Sequence, residues 1–136
     1  MSISLHVGTR AYEVGSPGFF GAFFSTVYVR LEDRSWGSRF PVVMTNLYAG
    51  RLPPELAAAA LAELAAIRTA LRCFPPQAVV WDHENPQALP PWGATISPGI
   101  SSLASYFVTS DGKDLLDTIS NAVQEATTAR RPVLVQ

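Results

Sequence analysis

The densest group of side chains able to do chemistry is Asp82-His83-Glu84, an imidazole between two carboxylates. In an extended backbone this triplet sends Asp82 and Glu84 to one side and His83 to the other, so the three do not converge on one ion. No second histidine or cysteine pair completes a zinc set. The triplet therefore reads as a solvated turn, a contact for a protein partner, or an acid/base group in a loop where sites often sit. Glu32-Asp33 poses a similar choice: a polar turn at the end of a strand, or two acids that pair with arginines of a basic partner.

A search for a nucleophile with its base ends without a candidate. No serine lies in a Gly-x-Ser-x-Gly elbow, and only His6 and His83 are present as histidine bases. Cys73 closes an apolar helix before Phe74-Pro75-Pro76 and reads as a small buried thiol. The glycines between Gly15 and Gly21 lack the lysine of a phosphate loop and the spacing of a dinucleotide fingerprint, and read as a turn. Outside the Asp82-His83-Glu84 triplet the residues nominate no catalytic group, and no metal ligand set or cofactor is expected.

Aromatic side chains are the other functional candidates. Trp81 lies in an apolar run and reads as core, whereas Trp36 and Trp92 each precede a glycine in a loop. There a ring either folds back onto the domain or anchors an interface. Arg39 stands between Trp36 and Phe40, hydrophobic neighbours that can hold it in place.

Composition sets the frame for these residues. The chain has 136 residues, 48% hydrophobic and 15% charged, which excludes disorder for most of it and leaves enough core for one domain spanning 1–136. One cysteine excludes an internal disulfide framework. A net charge of -1 supplies no field for a phosphate backbone, so nucleic acid is not the expected partner. No apolar run approaches the ~20 residues of a membrane helix, and the N-terminus lacks the pattern of a secretory signal, so a cytoplasmic protein is expected.

Several elements must position the candidates. Ile3 to Val7 alternates as a strand, and Phe23 to Glu32 reads as a second, with Ser25, Val27, Val29 and Leu31 inward. Pro41 to Tyr48 suits a short helix ended by Gly50. Pro53-Pro54 opens a helix through Arg72, with Leu56, Ala60, Leu64, Ile67 and Leu71 as its apolar stripe. Ala78 to Trp81 reads as a central strand, Asp82 to Gly99 as a proline-stiffened loop, and Ser102 to Thr109 as a strand. Lys113 to Ala129 is a helix capped by Ser110 or Asp111, and Val133 to Val135 a last strand. The order implies an α+β fold, a small mixed or antiparallel sheet packed against two main helices at about 54–72 and 113–129.

Several strings together resemble the bacterial immunity protein 70 family: Ser25-Thr26-Val27-Tyr28-Val29-Arg30-Leu31-Glu32, Trp36-Gly37-Ser38-Arg39-Phe40-Pro41, and Leu47-Tyr48-x-Gly50-x-Leu52 leading into the alanine-rich helix with Glu63-Leu64. Val80-Trp81-Asp82, Pro90-Pro91-Trp92-Gly93 and Tyr106-Phe107-Val108-Thr109-Ser110-Asp111-Gly112 continue the likeness, which spans about Leu5 to Val135. The resemblance implies a small α+β protein of a polymorphic toxin system, which protects its own cell by binding a cognate toxin effector of contact-dependent or type VI type. Such a protein needs no catalytic apparatus and acts by capping the toxin's active site. On that reading Glu32, Asp33, Trp36, Arg39, Asp82, His83, Glu84 and Trp92 form the partner surface, with acids steering a basic cleft and tryptophans as anchors. Two alternatives stay open: a small cytoplasmic enzyme using the Asp82-His83-Glu84 loop, and a subunit of a complex unrelated to toxins. Whether Phe19, Phe20, Phe23 and Phe24 form core, a homodimer seam or the toxin site is also open.

Overall fold

A computed structural model describes residues 2–85, 87–90 and 96–136. Ile3–Val7 (β1) and Arg10–Gly15 (β2) form a hairpin whose turn uses Gly8 at φ +59°, a conformation glycine adopts without strain. Arg51–Leu52 (β3) and Val133–Val135 (β4) complete a four-stranded antiparallel sheet in the order β2-β1-β4-β3. Alternation puts Leu5, Val7, Val14, Leu52 and Val133 on the buried face, as a half-covered antiparallel sheet requires.

The second expected strand is a helix. Ser16 accepts a hydrogen bond from the N–H of Phe19 and Pro17 occupies the first turn, so the chain enters a helix, Pro17–Thr26 (α1), where a glycine-rich turn was expected. α1 runs on into π-helical turns over Val27–Leu31. Phe19, Phe20, Phe23, Phe24, Val27 and Leu31 recur at helical spacing and are all buried. Burial of that stripe overrides the strand preference of Thr26, Val27, Tyr28 and Val29. Phe23 meets Phe24 and Phe107 edge to face at 5.4 and 5.6 Å, which places the phenylalanines in the core.

Leucine and alanine build the remaining helices. The expected helix after Pro41 is present as π-helical turns over Val42–Leu47, with Gly50 at φ +100° beyond it. Its first N–H groups have no partner within the segment, and Glu63 supplies one, accepting from Val42 at 3.1 Å and Val43 at 2.8 Å. Glu63 belongs to Ala57–Leu71 (α2), which follows a 3-10 turn at Pro54–Leu56 and buries Ala57, Ala60, Leu64, Ile67 and Leu71. Leu56 is only half-buried, its place on the stripe taken by Ala57.

Two further expected strands are absent from the sheet. Ser102 caps a short helix, Leu103–Tyr106 (α3), and Val108 pairs only with Asp114 as an isolated bridge. Pro76–Ala78 forms a 3-10 turn, and the chain there is held by side chains of α1 and of the π-helical turns that follow it. Arg30 donates to the carbonyl of Ala78 at 2.8 Å, and the Thr26 hydroxyl accepts from the N–H of Val80 at 3.0 Å. These bonds take up backbone groups that a strand in the sheet would need for its ladder.

The last helix, Leu115–Ala129 (α4), starts at Asp114, whose carboxylate accepts from Asp117 N–H at 3.1 Å, rather than at Ser110 or Asp111. It ends where Arg130 turns left-handed at φ +55°. α4 lies against β1 and β2, and α2 packs on α4, so the core runs continuously from sheet to outer helix. This is the expected α+β architecture of an antiparallel sheet with two main helices. Among the described residues no helix is long and apolar enough to cross a membrane.

Candidate functional site

Residues three and four apart on a helix share a face, so α1 presents Gly18, Gly21 and Ser25 together. The extended segment pinned to α1 brings Trp81, Asp82, His83 and Glu84 beside that face, while Trp36 and Tyr48 close the other side. These residues line a surface cleft of about 300 Å³. Its floor is nearly bare helix: a Cβ added to Gly21 would meet no atom within 4 Å.

Trp36 is fixed by two devices. Beneath it, Glu32 is only 3% exposed, and its carboxylate accepts from the N–H groups of Gly37 at 2.9 Å, Arg39 at 3.1 Å and Phe40 at 2.9 Å. Left-handed Asp33 and Arg34 reverse the chain so that these N–H groups turn back toward it. A carboxylate that gathers three donors holds a loop without help from a regular element. The indole N–H of Trp36 then donates to the carbonyl of Met44 at 2.7 Å, which orients the ring.

Around Trp36 the aromatic rings form a cluster. Tyr28, Tyr48 and His83 lie 5.1, 4.8 and 5.5 Å from it, centroid to centroid, and Tyr28 also meets His83 at 5.1 Å. Tyr48 remains 52% exposed, so its ring presents apolar surface to the outside.

Ser25 and His83 tie the two sides of the site together. Ser25 Oγ accepts from the backbone N–H of His83 at 3.2 Å and lies 3.0 Å from its Nδ1. With the imidazole proton on Nε2, the hydroxyl donates to Nδ1, and Nε2 faces Glu84 Oε1 at 3.9 Å. Serine, imidazole and carboxylate stand here in the order of a hydrolytic triad. Ser25, however, is 5% exposed within α1, and Glu84 is 83% exposed and 3.9 Å from the ring. The contact anchors the 82–84 turn to α1. Among the described residues, no three His, Cys, Asp or Glu side chains gather as a metal site requires.

The structure brings Trp36, Asp82, His83 and Glu84 into one cleft, and Glu32, Asp33 and Arg39 are not among its lining residues. Glu32 faces inward as a brace, so neither reading made for it, solvated turn or partner contact, fits its burial. Asp33 is exposed, and Arg39 spreads its guanidinium over the Phe40 ring at 5.1 Å outside the cleft lining. Trp92 lies outside the described residues. Cys73 is exposed rather than buried, because the stripe of α2 ends at Leu71. Trp81 is half-buried, packed against the core while also lining the cleft. Tyr48, Ser25, Gly18 and Gly21 were missed; the spacing of Gly18, Gly21 and Ser25 at three and four would have signalled a shared helical face had 17–31 been read as a helix.

No curated protein and no solved structure matches the chain. A family model described as immunity protein 70 matches residues 5–135, nearly the whole length. The strings that carried the resemblance lie within that match: Trp36-Gly37 and Val80-Trp81-Asp82 supply two walls of the cleft, and Leu47-Tyr48 a third. The chain therefore belongs to the immunity protein 70 family.

Proposed function

We propose that this protein neutralises a cognate bacterial toxin by direct binding, capping the toxin's active site, and that it does so in the cytoplasm of the cell that makes both. The family match over residues 5–135 carries this reading. The cleft supports a contact surface centred on Trp36, Tyr48, Asp82, His83 and Glu84. It joins a rigid aromatic patch to acids at its edge, the composition of an interface anchor inside a polar rim. Glu32 supports that surface from beneath, and Asp33 and Arg39 stand to one side of it.

Inhibition by capping needs no turnover, and the polar groups of the cleft serve as well for recognition as for catalysis. A toxin that acts on nucleic acid or an anionic nucleotide has a basic cleft, and exposed Asp82 and Glu84 are suited to meet it. The test is co-expression with the toxin domain encoded beside this gene, read by size-exclusion chromatography and by rescue of growth. A stable complex that restores growth is expected. Growth arrest with both proteins folded and no complex overturns the reading, and loss of a measurable turnover in a His83→Ala variant would favour the enzyme alternative.

A further inference from the structure

The chemistry of the cleft identifies what enters it. Trp36, Tyr48 and Trp81 give three aromatic walls, Asp82 and Glu84 give two carboxylates, and no arginine or lysine is among the described residues that line it. Such a site attracts a cation and repels an anion: the ring quadrupoles are negative on their faces, and the acids add full charges. At about 300 Å³ the cleft lies at the small end of the roughly 300–1,000 Å³ of small-molecule sites, with room for one inserted side chain.

Position selects among cations. A planar guanidinium stacks on an aromatic face and pairs with a carboxylate through parallel N–H bonds, whereas a lysine ammonium is a compact, strongly hydrated charge. The rings are already ordered, since the Trp36 indole is held on the Met44 carbonyl and His83 on Ser25, so an incoming group has little to rearrange. Gly18 and Gly21 keep the helix side of the cleft open: at Gly21 a Cβ would stand in free space, and at Gly18 it would reach Trp81 at 3.7 Å.

We infer that this cleft is the receptor for a single arginine side chain, which the cognate toxin inserts between Trp36 and the carboxylates of Asp82 and Glu84. The inference rests on the immunity reading for the source of the arginine, but the cleft's preference for a guanidinium is tested without any toxin. The probe is N-acetylarginine amide titrated to about 100 mM, because one cation–π contact with one ion pair gives affinity on the order of 10 mM. Its neutral isostere N-acetylcitrulline amide is the control, and the Trp36 indole N–H resonance the readout.

A saturable shift with arginine, at least five times weaker with citrulline, is expected, and it disappears in Gly21→Leu. That variant fills the cleft from an unhindered helical position with a residue of higher helix propensity, and an unchanged far-ultraviolet spectrum verifies its fold. Asp82→Asn with Glu84→Gln, both at exposed positions, weakens the shift without filling the site. No saturable shift, or equal shifts from the two probes, overturns the inference. With the toxin domain, Gly21→Leu loses at least about 30-fold in affinity, the scale of an interface anchor. Wild-type binding that Gly21→Leu leaves unchanged overturns the docking of an arginine while the immunity reading stands. Absence of wild-type binding overturns the immunity reading, and the arginine probe alone then decides the cleft.

Discussion

A single buried carboxylate organises the loop that carries Trp36. Glu32 accepts three backbone N–H groups at 3% exposure, so a neutral amide in its place keeps one acceptor oxygen and turns an NH2 toward donors. Glu32→Gln is expected to cost about 3 kcal/mol in urea unfolding, since hydrogen bonds to charged groups contribute about 1.5–3 kcal/mol and stranded donors add to the loss. The same variant should broaden the Trp36 indole resonance, and a stability within 0.5 kcal/mol of wild type, about the effect of an ordinary surface change, would show that the loop holds by other means. Glu32-Asp33 reads in the sequence as a pair, yet the two residues diverge completely: backbone reversal at Asp33 sends one carboxylate inward and leaves the other in water. Nothing in the residue types separates them. Trp36 and the Asp82-His83-Glu84 triplet were legible as candidates because aromatic and ionisable side chains in loops are scarce enough to stand out.

At the scale of elements, helices hold what strands were expected to hold. α1 and its π-helical continuation fix the 78–83 segment through Ser25, Thr26 and Arg30, and α2 caps the 42–47 turns through Glu63. Glu63→Ala removes both acceptors from Val42 and Val43 and should lower stability by about 1–2 kcal/mol, the range of a lost N-cap, with the largest shifts in amide exchange at 42–44. The turn before α4 gives a pH-dependent prediction. The Thr109 hydroxyl donates to the Asp111 carboxylate, and with help from Lys113 it holds that carboxyl below the usual aspartate range against a smaller opposing effect of desolvation. A folded-state value below the unfolded one stabilises the turn above the ordinary aspartate range, and the contribution is lost as pH falls through the lowered value. Thr109→Val should therefore raise the Asp111 midpoint in a carboxyl NMR titration; an unmoved midpoint would assign the lowering to another source. The helix–strand confusion has a definite origin: aromatic and β-branched residues from Phe23 to Leu31 satisfy both a period of two and a period of 3.6, and only the partners they pack against choose between them.

For the whole molecule, the cleft's acids predict how association behaves. Glu84 is almost fully exposed, so Glu84→Lys should slow association with the toxin domain about tenfold at low salt, with little change in dissociation, and the difference should shrink as ionic strength rises. Stopped-flow measurement at two salt concentrations checks it, and equal association rates would place the acids away from the contact. By itself the sequence determined the α+β class, the hairpin strand Ile3–Val7, the closing strand Val133–Val135 and the two long helices. These elements announce themselves because their periodicity is long or their boundaries are marked by proline, glycine and capping residues. The family, too, was legible in strings such as Trp36-Gly37-Ser38-Arg39-Phe40-Pro41. Only the tertiary structure decided that 17–31 is helical, that Glu32 is interior and Cys73 exterior, and that Gly21, Trp36, Tyr48 and Asp82 share one cleft. Those outcomes depend on contacts across many residues of chain, as between Ser25 and His83, and burial at such distances is a property of the packed core, which no local pattern encodes.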